Sequence, residues 1–154
     1  MKPKLPDERQ RRRLVGRRAA HALDNRAFFQ VYNGLGFGFL ESVYVHALER
    51  ELRARGLRVG REVAVRIYYD GVELCQYRID MVVNEKVVVE AKSTYALHRA
   101  AARQVLNCLR ATNLEVGLLI HFGPEPKFFR LFAPNHKKQH LKNPDHPSDP
   151  RQNS

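Results

Sequence analysis

The stretch RIDMVVNEKVVVEAKS, residues 78–93, places charged side chains inside two apolar, strand-like runs. Its second run, a row of valines, ends at Glu90 and Lys92 with Ala91 between them, and Asp80 interrupts the first run. Because successive side chains of a strand point to opposite faces of the sheet, Glu90 and Lys92 lie on the same face. An acid and a base at the end of a buried strand therefore mark this stretch as a candidate site.

The length of the turn between the two runs decides where Asp80 points. A three-residue loop over 84–86 sets Asp80 directly opposite Glu90, whereas a two-residue loop turns Asp80 to the other face. Two carboxylates opposed across strands repel each other, and proteins tolerate them where a cation sits between them or one acid is protonated. Mg²⁺ binds few protein carboxylates and takes substrate phosphate as a further ligand. The alternative is an ordinary Glu–Lys pair at a strand end, with Asp80 forming a turn.

Hydrophobic periodicity and breaker residues predict the elements around this stretch. Three closely spaced glycines force a loop after the first helix, and the pair Asp70-Gly71 is typical of a tight hairpin turn. The predicted order is a helix over 10–33, a helix over 39–55, strands over 61–69, 72–83 and 86–92, a helix over 96–112, and strands over 114–122 and 127–132. Two tight strand connections and one helical crossover predict an α/β fold, a mixed central sheet flanked by helices.

The chain has 154 residues, which fits one domain. We predict a basic, disordered N-terminus over 1–9, a single domain over 10–132 and a disordered, Pro-rich tail over 133–154. The net charge is +11, and residues 1–18 alone contain eight Lys and Arg against two acids. Basic ends attract nucleic acid without sequence preference, and they are equally typical of plain soluble tails.

Two further polar residues fall inside apolar helix stripes. The predicted apolar stripe of the second helix contains Leu40, Val43, Tyr44, Ala47, Leu48 and Leu52. Glu41 lies between Leu48 and Leu52 on this wheel, where a carboxylate is costly unless paired, although the helix dipole also favours an acid in the first turn. Gln104 lies within the stripe of the third helix, and a buried glutamine must be hydrogen-bonded. Gln104 either orients a water or a carboxylate, or satisfies a backbone edge.

Two classes of protein are excluded by composition. No window approaches the ~18 continuous apolar residues that span a membrane. The two cysteines, Cys75 and Cys108, are too few for a disulfide framework or a cysteine-based zinc site. A cytoplasmic location is therefore expected.

The stretch from Gly38 to Tyr44, GFLESVY, matches the pattern G-x-x-E-x-x-Y. Further motifs follow at the expected spacing, and five occur in order: GLGFGFLESVY (34–44), YRIDMVV (77–83), VVVEAKS (87–93), RQVLNCL (103–109) and GLLIHFG (117–123). Over residues 30–132 the chain resembles the GxxExxY family, which is placed in the PD-(D/E)xK nuclease-like superfamily.

This resemblance implies a restriction-endonuclease-like αβββαβ core with the site at one edge of the central sheet. It implies a divalent-metal-dependent nuclease that hydrolyses phosphodiester bonds of DNA or RNA with Mg²⁺ or Mn²⁺. The implied catalytic residues are Glu41, Asp80, Glu90, Lys92 and Gln104. The implied metal ligands are Glu41, Asp80, Glu90 and the Ala91 carbonyl, with Lys92 and Gln104 acting on the attacking water.

The third helix departs from the pattern of the relatives. Cys108 stands where one nuclease branch has Tyr, and Ala101 stands where many relatives have His. The acids and the lysine are intact. These departures support the alternative, a catalytically inactive module that keeps the fold and binds nucleic acid or protein.

Overall fold

A computed structural model describes residues 25–138 and the isolated positions 7, 10 and 23. The elements, in chain order, are α1 (Arg26–Leu35), α2 (Glu41–Ala54), β1 (Val59–Tyr69), β2 (Val72–Val83), β3 (Val87–Lys92), α3 (Ala100–Arg110), β4 (Val116–Phe122), β5 (Pro126–Phe132) and a short 3₁₀ helix (Asn135–Lys137). The helix predicted over 10–33 is seen from Arg26 onward, and most of its earlier part lies outside the described residues.

The strands form one five-stranded sheet in the order β1-β2-β3-β4-β5. β3 and β4 are parallel and are joined through α3, whereas the other neighbouring pairs are antiparallel. The predicted mixed α/β sheet is therefore confirmed, and β1 and β5 occupy its two edges. No helix among the described residues combines the length and the apolar character needed to cross a membrane.

Local turn chemistry fixes the first hairpin. Asp70 and Gly71 have φ values of 50° and 76°, and Tyr69 pairs with Val72 across them. Two positive φ values in a two-residue loop match the right-handed twist of the flanking strands. The tight turn predicted from Asp70-Gly71 is confirmed.

Helices cover both faces of the sheet, and each face has its own core. One core joins α1 and α2 to the sheet through residues such as Phe28, Tyr44 and Leu48. The other core joins α3 to the opposite face. Gly117 brings α3 close to β4, because a Cβ at this position would lie 2.5 Å from Cγ1 of Val105.

The packed face of α2 differs from the predicted stripe. Leu40 and Val43 were expected to face the core, yet both are exposed, whereas Val45 is buried. Contact with the sheet side of the core begins at Tyr44, one turn into the helix. The first turn of α2 therefore leaves its apolar side chains in solvent, and they lie on either side of Glu41.

The C-terminal boundary of the packed domain also differs from the expected position at residue 132. Ala133 is buried, and its N–H donates to the carbonyl of Glu115. Lys138 is 6 % exposed, and its Nζ donates to the carbonyls of Thr112 and Leu114 at 2.9 and 2.6 Å. Residues 133–138 thus belong to the folded unit, and the rest of the predicted tail, 139–154, lies outside the described residues.

Candidate active site

The turn between β2 and β3 has the three-residue length that places Asp80 opposite Glu90. Val83 pairs with Val87, and Met81 pairs with Val89. Continuing this register by one residue sets Asp80 across from Glu90. Of the two loop lengths that the sequence left open, the structure has the three-residue loop, which puts Asp80 and Glu90 on the same face of the sheet.

Asp80 lies where the regular ladder on β2 is interrupted. The pairing with β3 stops at Met81, and the pairing with β1 skips Asp80 and Glu62. Here the Asp80 carboxylate takes the role of a backbone acceptor, because the N–H of Ala91 donates to its Oδ2 at 2.9 Å. The N–H of Asp80 in turn donates to Oε1 of Glu90 at 3.4 Å. These two contacts hold the carboxylates beside each other at the point where the strands part.

Glu90 is deeply buried and close to a second acid. It is 2 % exposed. Burial is the main cause that raises its pKa to about 8, the charge of Asp80 adds to this, and the Lys92 ammonium partly opposes it. Nζ of Lys92 lies 3.8 Å from Oε2 of Glu90. At Glu90, the charge of Asp80 therefore outweighs the opposing charge of Lys92.

Glu41 reaches the same region from the first turn of α2. Burial raises the pKa of its carboxyl above the ordinary value, Lys92 lowers it, Asp80 raises it, and the main chain of Ser93 lowers it. Charges act on one another in this way only over short distances. Glu41 thus shares an electrostatic environment with Asp80 and Lys92 on the sheet.

Ala91 presents its main chain to the acids. Its N–H points toward β2, where it meets Asp80. Because the N–H and C=O of one strand residue point to the same side, the Ala91 carbonyl also faces the gap between β3 and Asp80. A carbonyl oxygen therefore stands beside the paired carboxylates.

Gln104 lies on α3 and is half-buried. No hydrogen bond or ion pair joins its side chain to another residue in the described part of the chain. One turn further on, Cys108 lies close enough to the acids that Glu90 contributes to its raised pKa. Burial is the larger cause, and that pKa is about 12. The structure therefore brings α3 close to the acids through Cys108, and the Gln104 amide has no partner among residues 25–138.

The donor set suits a hard divalent cation. Two carboxylates and a main-chain carbonyl supply oxygen ligands, which Mg²⁺ and Mn²⁺ prefer. A divalent cation would also offset the desolvation and repulsion that raise the pKa of Glu90. Among residues 25–138, no three His, Cys, Asp or Glu side chains lie close enough together to form a ligand group. Glu41, Asp80 and Glu90 therefore do not form a ready-made three-carboxylate ligand group among these residues.

Three residues near the site were not singled out as site residues from the sequence. The Tyr44 hydroxyl donates to the carbonyl of Gly36 at 2.6 Å and accepts the N–H of Phe39 at 3.2 Å, which fastens the loop before Glu41. Oγ of Ser93 donates to the carbonyl of Phe39 at 2.7 Å and ties this loop to the end of β3. His121 is buried beside Lys92 in the register of β3 and β4. The pattern G-x-x-E-x-x-Y includes Tyr44, but the sequence did not indicate that its hydroxyl fastens the loop before Glu41.

Comparison with known protein families supplies an assignment that is independent of this geometry. The family described as the PD-(D/E)XK nuclease superfamily matches residues 21–131, most of the chain. No curated protein and no solved structure matches the chain significantly. The mixed five-stranded sheet flanked by helices agrees with a restriction-endonuclease-like fold. The chain belongs to the PD-(D/E)XK nuclease superfamily.

Proposed function

We propose that this protein is a divalent-metal-dependent nuclease that hydrolyses phosphodiester bonds of DNA or RNA, and that within its superfamily it is a GxxExxY protein. The observation that carries the proposal is the pairing of the Asp80 and Glu90 carboxylates across β2 and β3, with Lys92 on the same face as Glu90. Membership of a nuclease superfamily supports a nucleic-acid substrate.

Nucleases of this superfamily generally use divalent metals. In the proposal, Asp80, Glu90 and the Ala91 carbonyl hold Mg²⁺ or Mn²⁺, and Glu41 contributes through a water. When bound, such an ion polarises a phosphoryl oxygen and lowers the pKa of a coordinated water.

The protein's own residues position the reactants. The Lys92 ammonium is a compact donor of three hydrogen bonds, and it either positions the attacking water or stabilises the charge that develops on the phosphoryl group. The Gln104 amide, which has no partner in the described part of α3's surroundings, orients that water or a carboxylate. The Glu41 carboxylate accepts a hydrogen bond from the water that links it to the metal. The basic N-terminus raises the local concentration of substrate.

The test is cleavage by the purified full-length protein. Single- and double-stranded DNA and RNA are incubated in Mg²⁺ with the wild type, Glu90→Ala and Lys92→Ala. The matched control is Lys86→Ala, which removes an exposed lysine in the β2–β3 turn. The proposal expects cleavage by the wild type and Lys86→Ala, and loss of cleavage in the other two variants. Equal cleavage by all four proteins would mean a contaminant or a different site.

The second candidate is a catalytically inactive module that binds nucleic acid or protein. The observation that favours it is the absence of a three-carboxylate ligand group in the described residues, together with Cys108 in place of a tyrosine on α3. Calorimetric titration with Mn²⁺ separates the two functions. Saturable binding that Asp80→Ala abolishes supports the nuclease, whereas binding no stronger than that of Asp80→Ala supports the inactive module.

A further inference from the structure

Four large apolar side chains lie in the two loops that adjoin Glu41 and Lys92 in the sequence, and they remain in solvent. Phe37 is 42 % exposed, Leu40 is 77 % exposed and Tyr95 is 81 % exposed. Phe39 is exposed as well. We call these four residues, Phe37, Phe39, Leu40 and Tyr95, the aromatic lip. An exposed apolar patch of this kind, bordered by polar groups, is typical of a binding surface.

The lip is continuous with the acids and the lysine. Leu40 directly precedes Glu41, and Tyr95 follows Lys92 by three residues. The rings of Phe37 and Tyr95, from the two different loops, lie 6.5 Å apart between centroids in an edge-to-face arrangement. The two halves of the lip therefore meet each other, and each belongs to a loop that adjoins a site residue in the sequence.

The first half of the lip is held in a defined shape. Gly36 and Gly38 flank Phe37 with φ values of 71° and 121°, which side-chain-bearing residues rarely adopt. The buried Tyr44 fastens the loop through its hydroxyl, and its ring stacks on Phe122 with centroids 4.2 Å apart. The exposed rings thus sit on a loop that the core fixes.

The second half of the lip is anchored from β4. Nε2 of His121 donates to the carbonyl of Thr94 at 2.8 Å, and Oγ1 of Thr94 donates to the carbonyl of Ala96 at 2.8 Å. Tyr95 lies between Thr94 and Ala96, so its backbone is held in place while its ring projects into solvent. A fixed aromatic ring loses little entropy when a flat partner stacks on it.

Two exposed arginines follow the second half of the lip along the chain. Arg99 and Arg103 are exposed one turn apart at the start of α3, four residues beyond Tyr95. Within the described part of the chain, neither guanidinium pairs with a carboxylate. Aromatic rings beside unpaired cations match the two parts of a nucleic-acid strand, since unpaired bases stack on rings and phosphates meet guanidinium groups.

We infer that the aromatic lip is a stacking platform for unpaired bases, so that the substrate is a single-stranded nucleic acid or the single-stranded part of a partly paired one. The inference rests on the proposed nuclease function for the step of cleavage, but the binding itself does not. Bases inside a duplex are stacked on one another and present no free face to a side chain. The lip therefore selects single strands.

The test is fluorescence anisotropy of the full-length protein in EDTA, with a labelled single-stranded oligothymidylate of about 20 nucleotides and a duplex of equal length. The test variant is Phe37→Ala/Tyr95→Ala. The matched control is Tyr69→Ala/Phe132→Ala, which removes an exposed tyrosine at the β1–β2 turn and an exposed phenylalanine at the end of β5. We expect the Kd for the single strand to rise about tenfold or more in the test variant and by less than about twofold in the control. The Kd of the duplex should be the same in all three proteins to within about twofold.

A third variant separates stacking from general apolar contact. Phe37→Leu/Tyr95→Leu keeps apolar side chains and removes the π faces, so it should lose affinity for the single strand like the alanine variant. Circular dichroism confirms that each variant is folded. An unchanged Kd in the alanine variant, equal losses for single strand and duplex, or a dimer in gel filtration that the alanine variant dissociates would overturn the inference.

Cleavage assays keep the two claims apart. Lip-dependent binding of single strands without cleavage would support the lip and contradict the nuclease. Glu90-dependent cleavage of single strand and duplex alike, unaffected by the lip variants, would support the nuclease and contradict the lip.

Discussion

The main-chain N–H of Ala91 donates a 2.9 Å hydrogen bond to the Asp80 carboxylate, so the strand that carries Glu90 and Lys92 directly fixes the acid of the neighbouring strand. Asp80 thereby has a structural contact and a proposed role as a metal ligand at the same time. Substitutions that keep the contact but remove the charge separate the two.

Asp80→Asn is expected to keep the fold and lose the metal. Its amide oxygen still accepts the Ala91 N–H, and the repulsion with Glu90 disappears, so the free energy of unfolding without metal should be unchanged or higher. Asp80→Ala loses the acceptor and should unfold more easily by about 1 kcal/mol. Thermal melts with and without Mn²⁺ measure both effects. A full Mn²⁺-dependent rise of Tm in Asp80→Asn would contradict the assignment of Asp80 as a ligand.

Lys92→Met is expected to abolish cleavage without weakening metal binding. The ammonium is 3.8 Å from Glu90, so its removal takes a competing cation away from the carboxylates. The cleavage rate should fall by about 100-fold or more, since one preorganised donor contributes on that scale. Mn²⁺ affinity by calorimetry should be equal to that of the wild type or tighter. A parallel loss of metal affinity and cleavage would show that Lys92 is needed to build the site rather than to act in it.

Tyr44→Phe is expected to loosen the loop before Glu41. The hydroxyl makes two hydrogen bonds in a buried setting, whereas the ring stacking on Phe122 survives the change. The free energy of unfolding should fall by about 1–2 kcal/mol in urea denaturation, and single-strand affinity should weaken.

Tyr32→Phe is the control for this loss of a hydroxyl. The Tyr32 hydroxyl bonds to the carbonyls of Gly123 and Pro124, away from the loop. Tyr32→Phe should lower the free energy of unfolding by a similar amount and leave the affinity for single strands unchanged. Equal affinity losses in the two variants would remove any special role of Tyr44 at the lip.

Lys138 is expected to make the stability of the protein rise with pH. In the folded state, burial lowers the pKa of Lys138 from 10.5 to about 8, and the negative charge of Glu115 partly opposes this shift. Between these values the unfolded chain binds more protons than the folded one, so the free energy of unfolding increases as pH rises through this window. Over this pH window, the free energy of unfolding of the wild type should rise by about 1–3 kcal/mol more than that of Lys138→Met.

Urea denaturation at several pH values from about 7 to 10 measures this gain. Lys137→Met, which removes the exposed neighbouring lysine, is the control and should track the wild type. Parallel pH profiles for wild type and Lys138→Met would show that the ammonium is not buried.

The sheet part of the candidate site followed from the sequence because its determinants are local. Alternation along a strand places Glu90 and Lys92 on one face. Loop length decides whether Asp80 lies opposite Glu90; the sequence left two lengths open, and the structure has the three-residue loop. The Asp70-Gly71 turn likewise depends on backbone preferences that two adjacent residues carry themselves. These features need no knowledge of what lies on the other side of the core.

The remaining features depend on contacts between residues far apart in the chain. Helical periodicity marked Leu40 as a core position, yet only the placement of α2 on the sheet shows that its first turn stays in solvent. The sequence predicts that Lys138 belongs to a polar tail, but in the fold its ammonium donates hydrogen bonds to the carbonyls of Thr112 and Leu114. Sequence patterns determined which side chains share a face of one element, whereas tertiary packing alone decided which faces meet, because burial and hydrogen-bond partners are supplied by other segments of the chain.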